Sequence, residues 1–484
     1  METEQNGRGG ELLLTVGLEV HAELRTKTKM FCDSANSTVL TGPNTNICPI
    51  CLAHPGTLPT INKDAVLHVL KVGKAVGGRL ADYTEFDRKN YFYPDQPKGY
   101  QISQYEFPLV SGGALSGVAL TRIHLEEDTA RSIHDSSGKT LVDYNRSGVP
   151  LMELVTEPVM HTPEQVATFA QELQLLLRYL GVSTANMEAG EMRIEANISM
   201  APKGSLGVKV EVKNLNSFKS VERAVQFEMK RQAAEIRSGR AVLQETRGWD
   251  EARQETFRQR TKEGSADYRY FPDPDLPKIQ CVQIPDVQAL VLPELPWARR
   301  ARYLGMGLTP VEADLFVCNK VLGDFFDRVC GCFDASASAV RLSVNYLATD
   351  LVGILRETAG RDSEIKDIPV NFTPKNFSKL VQMLQNNSVS SRGAKDILSI
   401  MVTSGGDPET IADSSGLRQK RDEASLLPVV QEVIKSNLAV VQQYKDGKAS
   451  SLQFLVGQAM KATKGSGDPK ALGDLFAREI YREQ

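Results

Sequence analysis

The sequence predicts an α+β protein whose sheet-based first part is followed by an all-helical second part. Apolar residues alternate from Glu11 to Leu24 with the period of two that is typical of a half-buried strand. After about residue 293 the apolar residues follow a helical period instead. The chain has 484 residues, which is long for a single core, so we expect two or three domains.

The strand-like segments of the first part predict an extended, largely antiparallel sheet with a polar face. In the first segment, Glu19, His21 and Glu23 share the face opposite the apolar residues. The same alternation recurs at residues 192–198 and 208–213, and glycine-rich turns separate many of the segments. An extended sheet with polar faces follows from this pattern.

Helix-start signals divide the rest of the chain. Thr162 and Thr309 each offer an N-cap followed by proline, and a Gln or Glu three residues later completes a predicted capping box. Polar, glycine-bearing stretches within residues 403–416 precede a last helical segment, which begins at about Glu423. The predicted domains are a sheet-based α+β domain at 1–293, an all-α helical domain at 294–410 and a small helical tail domain at 411–484.

Composition excludes several classes of protein. A net charge of −3 and a pI near 6.2 argue against a uniformly basic nucleic-acid-binding protein, so any RNA contact must use a local patch. No run approaches the roughly 18 apolar residues of a membrane span, and the first ten residues are polar, so we expect no membrane contact and no secretion. Seven unevenly spaced cysteines suit a reducing compartment, either the cytosol or an organelle interior.

Acids and histidines on strand-like segments are candidate metal ligands. No P-loop motif or strand-bound GxGxxG is present, so an ATP site would be unconventional. Hard oxygen ligands with imidazole suit Mg²⁺ or Mn²⁺ better than zinc. The same acids could instead form surface ion pairs, and composition does not decide between these interpretations. The candidates are Glu19, His21, His124, Glu126, Glu127, Asp128, Glu153 and Glu157.

Two further segments could carry chemistry. Residues 86–95 mix cations with aromatic rings, which suits phosphate pairing and base stacking, although a solvated turn would have the same composition. Cys48 and Cys51 form a C-x2-C knuckle with Cys32 upstream, a spacing found in structural zinc sites. His54 could supply the fourth ligand, but buried free thiols explain the same pattern.

Runs of residues spread over nearly the whole chain resemble the GatB family, the B subunits of aspartyl/glutamyl-tRNA amidotransferases. These runs are residues 17–21, 86–95, 100–104, 125–128, 143–153, 213–218, 267–275 and 454–461. The resemblance implies the cradle, helical and tail domains, with the tail contacting the tRNA body. It also implies a glutamine-hydrolysing, ATP-dependent carbon–nitrogen ligase that phosphorylates the side-chain carboxylate of Glu-tRNA(Gln) or Asp-tRNA(Asn) and amidates it.

The resemblance also implies partners and a location. Ammonia would come from the glutaminase, or A subunit, because this chain shows no amidase-type Gly/Ser-rich stretch with a nucleophilic serine. A small C subunit would tie the glutaminase to this chain. The complex would be cytoplasmic in a bacterium, or inside a mitochondrion or chloroplast in a eukaryote.

The resemblance further assigns site residues. The matching positions for a magnesium ion are Glu19, His21, Glu127 and Glu153. Arg88 and Lys89 lie in the motif that lines the same cavity, where they would bind ATP and steady its phosphates.

Two features conflict with these assignments. Strand alternation favours Glu126 as the ligand, whereas the match favours Glu127, and a bulge or the end of the strand would reconcile them. Family members with a zinc knuckle usually carry C-x-C before the C-x2-C, and Ser34 stands at that second position here.

Two alternative functions remain open. The chain could be a non-catalytic tRNA-binding subunit whose acids are structural, or a stand-alone metal-dependent enzyme acting on a small molecule. The presence of both the acid set and the tail motif argues against each alternative in turn.

Overall fold

The chain divides into two compact units, Met1–Leu295 and Pro296–Gln484. The structure, a computed structural model, describes residues 11–37, 42–135, 137–261, 268–332, 337–359, 365, 367–420, 422–463 and 465–482. The predicted Asp267 of the 267–275 motif and the polar first ten residues lie outside these ranges. The division into three domains stays a prediction.

The first unit contains the strands and a few helices. The strands are β1 Leu12–Glu23, β2 Arg79–Leu80, β3 Tyr83–Thr84, β4 Asp87–Asn90, β5 Tyr100–Ser103, β6 Val110–Ser111, β7 Ala114–Leu115, β8 Val118–Glu127, β9 Arg131–His134, β10 Thr140–Asp143, β11 Pro150–Thr156, β12 Met192–Pro202, β13 Val210–Leu215, β14 Glu245–Asp250, β15 Glu255–Thr261, β16 Phe271–Pro272 and β17 Ile279–Gln280. The helices are α1 Lys63–Ala75, α2 Pro163–Leu180, α3 Phe218–Arg237 and α4 Pro285–Gln288, with a 3₁₀ turn at Cys281–Gln283.

The main sheet confirms the predicted α+β class. Within the described residues its strand order is β15-β14-β13-β12-β1-β11-β8-β6-β2, with β7 also paired to β8. Neighbouring strands run antiparallel, except that β13 and β14 are parallel. The first predicted strand, β1, therefore lies between β11 and β12 near the middle of the sheet.

The two faces of this sheet differ in polarity. On one face, Leu18, Val20 and Ala22 of β1 are fully buried in the same core as Phe169 and Leu173 of α2. Burying a large apolar side chain stabilises the fold by roughly 1.5–3 kcal/mol. Because successive strand residues point to opposite faces, this burial directs the polar residues of β1 to the other face.

The start of α2 differs in one detail from the prediction. Thr162 caps the helix as expected and accepts a hydrogen bond from the Gln165 backbone N–H at 3.2 Å. The Gln165 side chain, however, accepts from the backbone N–H of His161 at 2.8 Å. The predicted pairing of Gln165 with the backbone of Thr162 was therefore wrong by one residue.

The second unit is helical in its described residues. Its helices are α5 Pro296–Gly305, α6 Pro310–Cys318, α7 Lys320–Cys330, α8 Ala337–Asn345, α9 Val352–Ala359, α10 Pro374–Gln385, α11 Ser391–Ser404, α12 Pro408–Ser414, α13 Glu423–Ser436, α14 Leu438–Lys445, α15 Ser450–Ala462 and α16 Pro469–Arg482, with a π-helical turn at Tyr346–Leu351. The capping box of Thr309 and Glu312 is confirmed at the start of α6.

The last helices share an apolar core. Leu426 and Val430 of α13, Leu455 of α15, and Leu472 and Phe476 of α16 are completely buried in this cluster. No single helix among the described residues is long and apolar enough to cross a membrane. Helices α13 and α14 pass that test only as a pair, and they meet at an angle of 93°.

The Glu312 carboxylate should make the stability of the second unit depend on pH. Hydrogen bonds from Arg341 lower the pKa of Glu312 from 4.5 to about 2. A depressed pKa stabilises the folded state above the ordinary value, and that contribution is lost as the pH falls towards the folded-state value.

Glu312→Gln should therefore lower the free energy of unfolding by about 0.5 kcal/mol at about pH 7, and by less at about pH 3. Glutamine can still form the capping box, so the change isolates the charge. Urea unfolding followed by circular dichroism measures the effect, with the exposed Glu409→Gln as control. An equal loss at both pH values would contradict the assignment.

Candidate functional site

The polar face of the sheet lines a cavity of about 500 Å³. Its walls are contributed by β1, β4, β5, β8, β11, β12 and β13, and by the tyrosines that follow residue 267. A second cavity of about 520 Å³ shares Lys89, Tyr91, Lys213 and Tyr268 with it. The cavity is thus built from segments that are far apart in the sequence.

The strand register brings two histidines and an acid into one row. His21 lies opposite Glu153 on the neighbouring strand, and Glu153 lies opposite His124 on the next. Directly opposed residues in an antiparallel pair have their Cβ atoms about 5 Å apart. Glu126, two residues after His124, points to the same face.

These side chains form a compact, buried cluster. The Nε2 atom of His21 is 3.4 Å from Glu153 Oε2 and 3.7 Å from Glu126 Oε1. His124 Nε2 is 3.2 Å from Glu153 Oε2 and 3.8 Å from Glu126 Oε2. Glu126 and Glu153 are only 1% and 7% exposed. Ligand atoms of His21, Glu126 and Glu153 lie within 4.8 Å of one another, close enough to hold one cation.

The charges of this cluster support one another. Burial alone lowers the pKa of His124, but Glu153 and Glu126 outweigh it and raise that pKa to about 9. Burial likewise tends to raise the pKa of Glu153, yet His124 and His21 hold it well below its ordinary value. Both acids therefore stay ionised, and hard oxygen ligands with an imidazole suit Mg²⁺ or Mn²⁺.

Glu127, the ligand assigned by resemblance, does not join this cluster. The register from His124 to Glu127 is continuous, without the bulge that the assignment requires, so Glu127 points to the opposite face. There it accepts hydrogen bonds from Lys98 Nζ at 2.7 Å and from the backbone N–H of Ile102 at 3.0 Å. The residue brought to His21 and Glu153 is Glu126, as strand alternation alone indicated.

Glu19 lines the same cavity but belongs to a neighbouring acidic group. It lies opposite Glu195 in the register, and its carboxylate oxygens lie within 4.8 Å of those of Glu195 and Glu211. Asn197 donates a hydrogen bond to Glu19 at 2.8 Å, and Lys213 Nζ is 2.9 Å from Glu195. The structure therefore separates Glu19 from the other predicted magnesium ligands.

Arg88 and Lys89 point in opposite directions from β4. Lys89 lines the cavity, with its Nζ 5.1 Å from the centroid of the Tyr268 ring. Burial lowers the pKa of Lys89, but Glu126, Tyr270 and Glu153 outweigh it and raise that pKa above its ordinary value.

Arg88 does not line the cavity. Its guanidinium hydrogen-bonds to Asp273 at 2.8 Å and to Asp275 at 2.9 Å, and it lies 4.4 Å from the centroid of the Tyr100 ring. The predicted ATP-binding role of Arg88 therefore does not fit this geometry. Arg88 instead fixes the segment that carries Tyr268 and Tyr270 against β4, which forms a separate small sheet with β16 and β5.

The cysteine knuckle is one ligand short of a closed zinc site. Sulfur atoms of Cys32, Cys48 and Cys51 lie within 4.8 Å of one another, and the described residues offer no fourth Cys, His, Asp or Glu atom to this group. His54 lines the same small cavity but lies outside the group. Because structural zinc needs four ligands, these residues do not fit a closed zinc site.

Neighbouring groups stabilise a negative charge on the sulfur of Cys51. A hydrogen bond from Cys32 lowers the pKa of Cys51 to about 4. The buried Lys29 places its Nζ 3.8 Å from Cys51 Sγ, and the Cys48 backbone N–H lies 3.1 Å from the same sulfur. These groups stabilise a Cys51 thiolate without a metal.

Several cavity residues were missed in the sequence. Arg193 and Glu195 on β12 and Glu211 and Lys213 on β13 line the cavity, as does Arg122 on β8. The alternation at 192–198 and 208–213 did predict polar faces there. It could not show which strands neighbour β1, and so it did not connect these faces to His21.

Comparison with known proteins places the chain in a family. Residues 14–284 match the GatB/GatE catalytic domain, and residues 324–480 match the GatB domain. The chain belongs to the GatB family. Both the cavity and its cluster lie within the part of this GatB-family chain that matches the catalytic domain.

Curated GatB-family relatives match along nearly their whole length. The aspartyl/glutamyl-tRNA(Asn/Gln) amidotransferase B subunit of Bacillus cytotoxicus is 42% identical over 480 residues, covering 96% of this chain and 98% of the relative. The protein of the same name from Thermomicrobium roseum is 44% identical over 488 residues, covering 98% of this chain and 99% of the relative. The match therefore extends through both units.

The geometry predicts that Glu126 and not Glu127 holds a divalent cation. Glu126→Gln should weaken Mn²⁺ binding by at least about tenfold, because it removes one anionic ligand. Glu127→Gln should leave the affinity unchanged, because Glu127 faces Lys98. Titration of Mn²⁺ followed by electron paramagnetic resonance measures both, with circular dichroism to check folding. The reverse pattern would restore the assignment of Glu127.

Proposed function

We propose that this chain is the component of a tRNA-dependent amidotransferase that activates the side-chain carboxylate of Glu-tRNA(Gln), Asp-tRNA(Asn) or both. The GatB-family membership and the names of its relatives support the reaction class. The observation that carries the proposal is the convergence of His21, Glu126 and Glu153 in a cavity of the catalytic domain.

The reaction has two balanced steps. An oxygen of the side-chain carboxylate attacks the γ-phosphorus of ATP, forming an acyl phosphate as ADP leaves. Ammonia then attacks the acyl carbon, the amide forms, and inorganic phosphate leaves. The first step brings two anions together, so cations must offset the charge for the reaction to proceed at a useful rate.

The cavity residues divide this work. His21, Glu126 and Glu153 would hold Mg²⁺, which when bound would offset phosphate charge. Lys89 carries a positive charge at neutral pH and is positioned to contact a phosphate oxygen beside the cluster. Tyr268 and Tyr270 offer aromatic faces on which a base or an aminoacyl group can stack.

The partners follow from the need for ammonia. In bulk water at neutral pH most ammonia is protonated to ammonium, which cannot act as a nucleophile. Ammonia therefore has to be delivered to the cavity from a protected source. A glutaminase, the A subunit, and a small linking C subunit would complete the complex. The tail, predicted at 411–484, would contact the body of the tRNA, and the shared core of α13, α15 and α16 gives it a defined surface.

Replacing Glu153 tests the catalytic role. Glu153→Gln should abolish tRNA-dependent ATP cleavage by the reconstituted complex while tRNA affinity is retained, because it removes an anionic member of the cluster. Glu157→Gln is a matched control, because Glu157 follows β11 directly but does not line the cavity. Unchanged ATP turnover in Glu153→Gln would favour a non-catalytic tRNA-binding role instead.

Removing the tail tests its tRNA contact. A chain ending before Glu423 should raise the KM for aminoacyl-tRNA about tenfold, which corresponds to about 1.4 kcal/mol of lost binding, with a smaller effect on kcat. Steady-state amidation by the complex measures both constants. A loss confined to kcat, or no change in KM, would contradict the proposed contact.

A further inference from the structure

Arg122 is a cavity residue for which the fold provides no partner. It lies on β8 two residues before His124, so its side chain shares the face of the cluster, and it lines the same cavity. Its Nε atom is buried without a hydrogen-bond partner, and in the part of the chain that the structure describes no carboxylate or carbonyl pairs with its guanidinium. Burying an unpaired donor is costly, so the position needs an explanation.

The cross-strand neighbours of Arg122 explain why it is left unpaired. Its register partners are Val155 on β11 and Ser111 on β6, neither of which carries a charge. Val155 lies between Arg122 and Glu19, the acid of that row on β1. No acid is therefore placed directly across from the guanidinium.

The other lysine and arginine side chains on the wall of the cavity have different surroundings. Arg193 is paired with Asp128 at 2.8 Å, and Lys213 is paired with Glu195 at 2.9 Å. Lys89 lies against the ring of Tyr268. Lys209 is exposed to solvent. Arg122 thus differs from all four in having a buried, unpaired donor.

We propose that Arg122 is a substrate-binding residue that binds an oxyanion of one of the two reactants, the nucleotide or the aminoacyl-tRNA. The proposal rests on the function proposed above and adds a residue to it. In an aminoacyl ester the α-carboxylate is already esterified, so the oxyanions available at the site are the terminal phosphate of the nucleotide and the side-chain carboxylate. The planar guanidinium fork matches either group with two parallel hydrogen bonds.

The position of Arg122 suits this role. Residues two apart on a strand are separated by about 7 Å, so Arg122 lies next to the row formed by His124, Glu153 and His21. An oxyanion between the two rows could contact the guanidinium on one side and a cation held by the cluster on the other. Arg122 would therefore fix the orientation of the anion.

The test uses the reconstituted complex with Arg122→Gln, Arg122→Lys and the control Arg79→Gln. Arg79 lies on β2 of the same sheet, is exposed, and does not line the cavity. If Arg122 grips the terminal phosphate, Arg122→Gln should weaken ATP binding by roughly 10- to 100-fold and leave ADP binding unchanged. If it grips the carboxylate, the KM for Glu-tRNA should rise by the same factor while uncharged tRNA binds normally.

The lysine variant separates charge from geometry. Arg122→Lys keeps the positive charge without the planar guanidinium. Its affinity for the affected ligand should therefore lie between those of the wild type and Arg122→Gln. Thermal unfolding would show whether Arg122→Gln is folded. If it is not, Arg122→Lys can still be compared with the wild type. A merely structural arginine would not alter ATP binding selectively over ADP, or Glu-tRNA selectively over uncharged tRNA.

Failure of the proposed role of Arg122 can be distinguished from failure of the proposed function. Suppose that the complex makes amide and that Arg122→Gln leaves the ATP affinity and the KM for Glu-tRNA within twofold of the wild type. That result would overturn the role of Arg122 alone. A wild-type complex that makes no amide would overturn the proposed function. The affinities of the same complex for ATP against ADP, and for Glu-tRNA against uncharged tRNA, would then decide on Arg122. Equal losses, or no loss, within both pairs of ligands would overturn its role.

Discussion

The site depends on the pairing register of β1 with β11 and of β11 with β8. That register places His21, Glu153 and His124 side by side on one face of the sheet. A slip of one residue would turn every side chain of a strand to the opposite face. The apolar residues Leu18 and Val20 prevent such a slip, because they are fully buried on the other face. The hydrophobic core therefore fixes the geometry of the polar cluster.

Burying this many charges is costly, and the fold offsets the cost by pairing them. Isolated carboxylates as buried as Glu126 and Glu153 would lose several kcal/mol of hydration each. His124 and Lys89 supply positive charge on the cavity face. On the opposite face of β8, Lys98 plays that part for Glu127. Glu126 and Glu153 are thus held ionised and ready for a cation.

The motifs with aromatic and cationic residues work as one assembly. β4 pairs with β16, so the segment of residues 86–95 lies beside the segment that begins at Tyr268. Arg88 joins them through Asp273 and Asp275, while Lys89, the next residue, points into the cavity. Alternation along a single short strand thereby places one of two adjacent cations in an ion-paired structural contact and the other on the wall of the cavity.

The sequence by itself determined the fold class, the strand β1, the capped helices and the family, because these follow from local periodicity and motifs. It also placed His21 and Glu153 among the candidates. Strand alternation favoured Glu126 and the family match favoured Glu127, and only the tertiary structure decided between them. It alone also showed that Glu19 groups with Glu195 and that Arg122 is left unpaired. These facts depend on which strands are neighbours. Strand neighbours more than 100 residues apart leave no mark in a local pattern, since their contacts form only when the sheet assembles.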